Sequence, residues 1–145
     1  MMGNNNNIEE IFKQVDLRRT PIRKDIFDFF REKNIALSQI DIEAHFGNTY
    51  DRVTMYRTLH TFIEKGIIHK VLDDTGVSKY ALCIHEHCEG EEHTHRDNHI
   101  HFKCVRCLTT LCLHDKEIPE FTLGENFKVL SANLLVEGIC DVCNN

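Results

Sequence analysis

Asp51-Arg52-Val53-Thr54-Met55-Tyr56-Arg57-Thr58-Leu59-His60-Thr61-Phe62-Ile63-Glu64-Lys65-Gly66 reads as a helix with its own start and stop signals. Asp51 can cap it and Gly66 can end it. Val53, Leu59, Phe62 and Ile63 are its expected inner face. The period then changes to alternation in Ile67-Ile68-His69-Lys70-Val71-Leu72 and Val77-Ser78-Lys79-Tyr80-Ala81-Leu82, around the hairpin-type turn Asp73-Asp74-Thr75-Gly76. Working outward toward the N-terminus, Ser38 with Asp41 forms a capping-box pattern for a helix burying Ile42 and stopping at Gly47-Asn48. Thr20 followed by Pro21 reads as N-cap and first residue of a helix that buries Ile22, Ile26, Phe29 and Phe30 and ends near Lys33. Ile8, Ile11, Phe12 and Val15 mark a short amphipathic helix before it. Helices followed by a hairpin give the outline of a winged helix-turn-helix in an α+β chain. A helical bundle with an appended hairpin is the plainer alternative.

The outward face of the 51–66 helix favours the winged fold. Arg52, Thr54, Tyr56, Arg57 and His60 point away from Leu59 and Phe62. Arginine offers a bidentate fork to guanine or phosphate, and Tyr and Thr can touch a thymine methyl or a phosphate. Arg18, Arg19 and Arg23 cluster at the start of an earlier helix, placed to grip phosphate. Double-stranded DNA is therefore the expected partner.

The net charge of −6 is unevenly distributed. Residues 1–80 carry twelve Lys/Arg against twelve Asp/Glu, and residues 81–145 carry five against eleven. A neutral first half can gather its cations on one face, while the second half is acidic and rich in metal-binding side chains. Seven of the ten histidines lie between His69 and His101, and four of the seven cysteines between Cys83 and Cys107. Imidazole with thiolate suits a borderline-soft tetrahedral ion, so zinc comes before calcium or magnesium. Cys104 and Cys107 form one Cys-x-x-Cys, and Cys140 and Cys143 another; the pair makes a four-thiolate structural zinc site that ties the C-terminal strand to an earlier hairpin. Free cysteines or two disulfides are the alternative. No apolar run is long enough to span a membrane and no export signal is expected, which points to a reducing cytoplasm.

Arg19-Thr20-x-x-Arg23, Arg52-Val53-Thr54-Met55-Tyr56-Arg57-Thr58-Leu59 and Glu64-Lys65-Gly66-Ile67-Ile68 resemble the ferric uptake regulator family. So do His99-Ile100-His101-Phe102-Lys103-Cys104-Val105-Arg106-Cys107 and Gly138-Ile139-Cys140-Asp141-Val142-Cys143, and the likeness runs from about Ile8 to Cys143. The resemblance implies a homodimeric, metal-responsive transcriptional repressor, with an N-terminal winged helix and a C-terminal α/β dimerisation domain. The corresponding division is 1–82 for DNA binding, 83–98 for a hinge and insertion, and 99–145 for dimerisation and metal.

The chain departs from the iron-sensing members. Ala36 and Ala81 stand where those members place a histidine and a carboxylate ligand, and Ile100 and Ala132 stand at two positions of their auxiliary site. The likeness to the zinc-sensing branch instead implies a regulatory zinc site of His69, Cys83, His99 and His101, with His69 in place of the usual aspartate. Zn2+ is then both structural and regulatory ion, ahead of Fe2+ or Mn2+. The insertion holds His85, His87, Cys88, His93 and His95 among four glutamates, a composition suited to extra metal binding. Cys112 reads as a small buried residue or an outer ligand. Pro119 and Gly124 leave room only for a short helix before the last strand. The expected function is a zinc-responsive repressor of metal-uptake genes. An iron- or peroxide-sensing repressor and a zinc-buffering protein are the alternatives. No catalysis is expected, since a closed thiolate and imidazole site leaves no open coordination position.

Overall fold

Three of the four N-terminal helices begin where the sequence supplies a cap. Residues Ile8–Gln14 form α1 and Pro21–Lys33 form α2, whose N-cap Thr20 accepts from the Arg23 N–H at 3.4 Å. Asn34, at φ 50°, closes α2 in the left-handed region that Asn tolerates. Leu37–Ser38 is a two-residue strand, β1. Gln39–Phe46 follows as α3, with both bonds of the Ser38–Asp41 capping box present. Asp51 caps α4, Arg52–Glu64, through the Thr54 N–H at 2.8 Å. The wing is β2, Ile68–Val71, with β3, Lys79–Leu82; β1 adds to β3, so the first sheet runs β1-β3-β2. The computed structural model describes residues 8–71, 75–82, 99–130 and 132–145, and the backbone alone at residues 99, 114, 115 and 117.

The helices close around Phe12, Ile26, Phe30, Ile42, Met55, Leu59 and Phe62, all almost wholly buried. Phe12 is the pivot, edge-on to Phe27 at 5.8 Å and tilted against Phe62 at 5.9 Å between centroids. The inner face of α4 is Met55, Thr58, Leu59 and Phe62, whereas Val53 and Ile63 are exposed. That corrects the expected phase by a fraction of a turn. Thr58 is tolerated inside because its hydroxyl donates to the Thr54 carbonyl at 2.9 Å.

The second sheet comprises β4 (His99–Cys104), β5 (Thr110–Glu117) and β6 (Leu134–Gly138), ordered β5-β4-β6, with β6 parallel to β4. Among the described residues between β5 and β6 no helix forms, and Gly124 sits at φ 116°. Gly138 leaves room for the Phe102 ring, which a Cβ on it would meet at 3.1 Å and push aside by a few tenths of an ångström.

Alternation assigns the faces of both sheets. Ile68, Tyr80 and Leu82 turn to the helical core. His69 and Val71 take the opposite face with Ala81, the register partner of His69. The β4–β5 hairpin covers that opposite face, with His101 directly across from Cys112 and Lys103 across from Thr110. The two sheets are joined by the Ala36 N–H, which donates to the Thr110 carbonyl at 2.8 Å, and by Lys79 Nζ to the Leu108 carbonyl at 3.5 Å.

Candidate metal centres and nucleic-acid face

Cys104 ends β4, Cys107 lies in the turn that follows, and Cys140 and Cys143 lie in the turn after β6. Parallel pairing sets Cys104 opposite Gly138 and brings the two Cys-x-x-Cys turns together. The four Sγ atoms lie within 4.8 Å of one another, with Cys107 to Cys140 at 3.9 Å. A zinc–sulfur bond of about 2.3 Å gives tetrahedral sulfur–sulfur edges of ~3.8 Å, so the four sulfurs fit zinc. None of the five described cysteines is in a disulfide.

The cluster favours two thiolates and opposes a third. The Cys104 thiol is lowered to about 6, first by the backbone N–H of Cys107 and then by that of Cys140, the latter donating to its sulfur at 3.4 Å. Cys107 is lowered chiefly by the Thr109 hydroxyl. Cys143 is pushed up to about 12, first by its hydrogen bond with Cys140. Negative charge concentrated on close sulfurs is what a divalent cation relieves.

A second group lies between the sheets. His69 of β2, His101 of β4 and Cys112 of β5 have donor atoms within 4.8 Å of one another. The Nε2 atoms of His69 and His101 are 3.4 Å apart, and Cys112 Sγ is 3.4 Å from His69 Nε2. Both histidines are buried. An N–H···N bond is usually shorter than this, whereas zinc–nitrogen bonds of about 2.0–2.1 Å give tetrahedral nitrogen–nitrogen edges of ~3.4 Å. His69 and His101, two of the four residues expected to regulate, thus meet. Cys83 lies outside the described residues, and His99 is described in its backbone alone. The register of β4 on β5 shifts between His99 and Ile100, so the pairing that faces His101 to Cys112 stops short of His99. His85, His87, Cys88, His93 and His95 also lie outside the described residues. Cys112 is the residue that sequence reasoning left unassigned; its place opposite His101 becomes visible once the hairpin register is counted from Lys103 opposite Thr110.

On α4, Arg52, Tyr56, Arg57 and His60 are exposed, and Tyr56 leans on His60 at 5.2 Å between rings. Arg52 pairs with Glu43 at 3.1 Å, and Thr54 gives its hydroxyl to Asp51 at 2.7 Å, so Thr54 is committed to the cap. Arg18 is exposed, and Arg19 pairs with Glu9 at 2.6 Å. Arg23 Nη1 donates to the Arg18 carbonyl at 2.7 Å and so holds the loop that displays Arg18 and Arg19. An exposed pair such as Arg19–Glu9 contributes little to stability. Among the described residues no helix is long and apolar enough to cross a membrane.

Three comparisons bear on this geometry. The model of the ferric uptake regulator family matches residues 14–136. A ferric uptake regulation protein of Staphylococcus aureus is 28% identical over 148 residues, covering 98% of this chain and 99% of its own. A zinc uptake regulator complexed with zinc and DNA has the same fold at TM-score 0.61 and 23% identity, covering 94% of this chain and 89% of that one. The ferric uptake regulator of Vibrio cholerae follows at TM-score 0.58 and 17% identity, covering 95% of this chain and all of that one.

Proposed function

This chain belongs to the ferric uptake regulator family, and from that membership we propose that it is a zinc-responsive transcriptional repressor, acting as a homodimer on operators of metal-uptake genes. The observation that carries the zinc reading is the 3.4 Å approach of His69 Nε2 to His101 Nε2 from two different sheets. Bound there, a zinc ion supplies a fixed link between the winged half and the C-terminal half. His69 and His101 hold the two halves in register, and Cys83 and His99 are the further donors that the family likeness implies. Cys104, Cys107, Cys140 and Cys143 serve the structural ion.

The exposed face of α4 supports DNA reading by Arg52, Tyr56 and Arg57, with Thr54 at its start, while Arg18 and Arg19, positioned by Arg23, suit phosphate. Two such helices in a dimer must match half-sites about one helical turn apart, so fixing each helix relative to the C-terminal half fixes affinity. Zinc can act only by favouring that arrangement over others. Exposed Phe121, Leu123, Phe127, Val129 and Leu130 give residues 99–145 an apolar surface fit for a second copy. The division into 1–82, 83–98 and 99–145 belongs to the same proposal. Relatives solved with zinc and DNA and with iron share this fold alike; zinc is favoured over iron by Ala36 and Ala81, which stand where the resemblance implies iron-type donors, and a repressor over a buffer by the exposed arginines of α4.

The test is selection of duplexes from a random pool by the zinc-loaded protein, followed by binding of the selected DNA before and after removal of the exchangeable ion. Zinc-dependent binding of a two-fold-related site supports the proposal. Binding indifferent to zinc but restored by Fe2+ overturns it.

A further inference from the structure

Val53 carries a branched apolar side chain that the helical core does not use. It is the second residue of α4 and 56% exposed, whereas Met55, two residues on, is almost wholly buried. The Asp51 cap, closed on the Thr54 N–H at 2.8 Å, starts the helix in the phase that turns Met55, Thr58, Leu59 and Phe62 inward and leaves Val53 outside. A single exposed valine is common on a protein surface, and a β-branched side chain does not favour a helix on its own account. The neighbours of Val53 set it apart. Tyr56 and Arg57, three and four residues on, are exposed on the same face, where such spacings bring Cβ atoms to about 5–6 Å. Arg52 turns aside to Glu43 at 3.1 Å, and the Thr54 hydroxyl is given to Asp51. The first turn of α4 therefore presents an apolar knob beside a tyrosine and an arginine.

We propose that Val53 reads thymine, packing its methyl groups against the C5-methyl that thymine alone among the four bases presents in the major groove. This rests on the DNA-reading role of α4 given above and deepens it by naming a base that the helix selects. The N-terminal residues of the second helix of a helix-turn-helix are the ones that meet base edges, and Val53 lies in that first turn. Discrimination against cytosine has two sources. The methyl contact is lost, and the cytosine amino group is left facing a side chain that cannot accept its hydrogen bond. Arg57, one turn further on, offers its fork to a guanine or a phosphate beside the same step.

The test is a methyl scan of the duplex selected by the zinc-loaded full chain, with each thymine replaced in turn by uracil, which lacks only the C5-methyl. At fixed salt, the wild type should lose affinity about fourfold at one thymine of each half-site, the effect of roughly one buried methyl group. Val53→Ala, a change that alanine's helix propensity favours at an exposed position, should bind the unmodified duplex about as weakly as the wild type binds the uracil duplex. It should also be indifferent to that replacement, while Tyr56→Ala remains sensitive to it. A wild type indifferent to every replacement, or a Val53→Ala variant with full methyl sensitivity, would overturn the proposal and leave α4 standing as a DNA reader. Loss of the sensitivity in Tyr56→Ala but not in Val53→Ala would assign the methyl to Tyr56 and overturn it equally. A chain that selects no duplex at all removes both this proposal and the DNA reading on which it rests.

Discussion

Ala36 donates its backbone N–H to the carbonyl of Thr110 at 2.8 Å, tying the loop after α2 to the first residue of β5. Two residues further along β5 is Cys112, and the same seam holds His69 and His101. The backbone bond therefore sets the depth at which the hairpin meets the wing, and the donor groups inherit that placement.

Thr110 carries a cost at this seam. Its hydroxyl is buried without a hydrogen-bond partner in the described structure. Thr110→Val keeps the shape and removes the unpaired polar atom, so it should stabilise the protein by about 1 kcal/mol. Chemical denaturation of the zinc-loaded protein measures this, and destabilisation by a similar amount would show that the hydroxyl is satisfied.

Cys140→Ser should release the ion held with Cys104, Cys107 and Cys143, because metal binding and folding are linked at such a site. Loss of the dimer should accompany it, since β6 is anchored to β4 through these turns. Full zinc content with an intact dimer would contradict the assignment.

Acid should empty the same site. The Cys104 thiol is held at about 6, below the ordinary thiol value, so its thiolate persists at neutral pH and is lost as pH falls through that value. Protons then compete with the metal. Zinc release followed with a chromogenic indicator should be absent at neutral pH and rise as the pH falls into the acid range; release beginning above neutrality would sink this reading.

Arg57→Ala and Tyr56→Ala should each weaken binding to the selected operator by about 1–3 kcal/mol. Arg18→Ala should weaken binding to all sequences and flatten the salt dependence by about one phosphate contact. Arg23→Ala should do both less directly, through the loop it holds by the Arg18 carbonyl. Wild-type operator affinity in the Arg57 variant would remove α4 from the interface.

The local fold was legible where a side chain closes a helix end by itself. Thr20, Ser38 with Asp41, and Asp51 each make the bond their spacing implies. The inner face of α4 was not, because apolar Val53 and Ile63 are exposed while Thr58 is inside with its hydroxyl satisfied by Thr54. A two-residue strand such as β1 has no period to read. The four-cysteine cluster needed only its spacing. Cys112 could not be assigned as a lone cysteine, since its meaning depends on a register partner, His101, that only the folded hairpin supplies.

The most direct measurement of the central claim is operator binding against free zinc for two sets of variants. One set is His69→Ala and His101→Ala, the other His85, His87, His93 and His95 of the insertion. The account predicts that the first two lose zinc-dependent binding while keeping the four-cysteine zinc and the dimer, and that the insertion variants keep the zinc response. If the insertion variants abolish the response while His69→Ala and His101→Ala retain it, the bridging site is not the sensor.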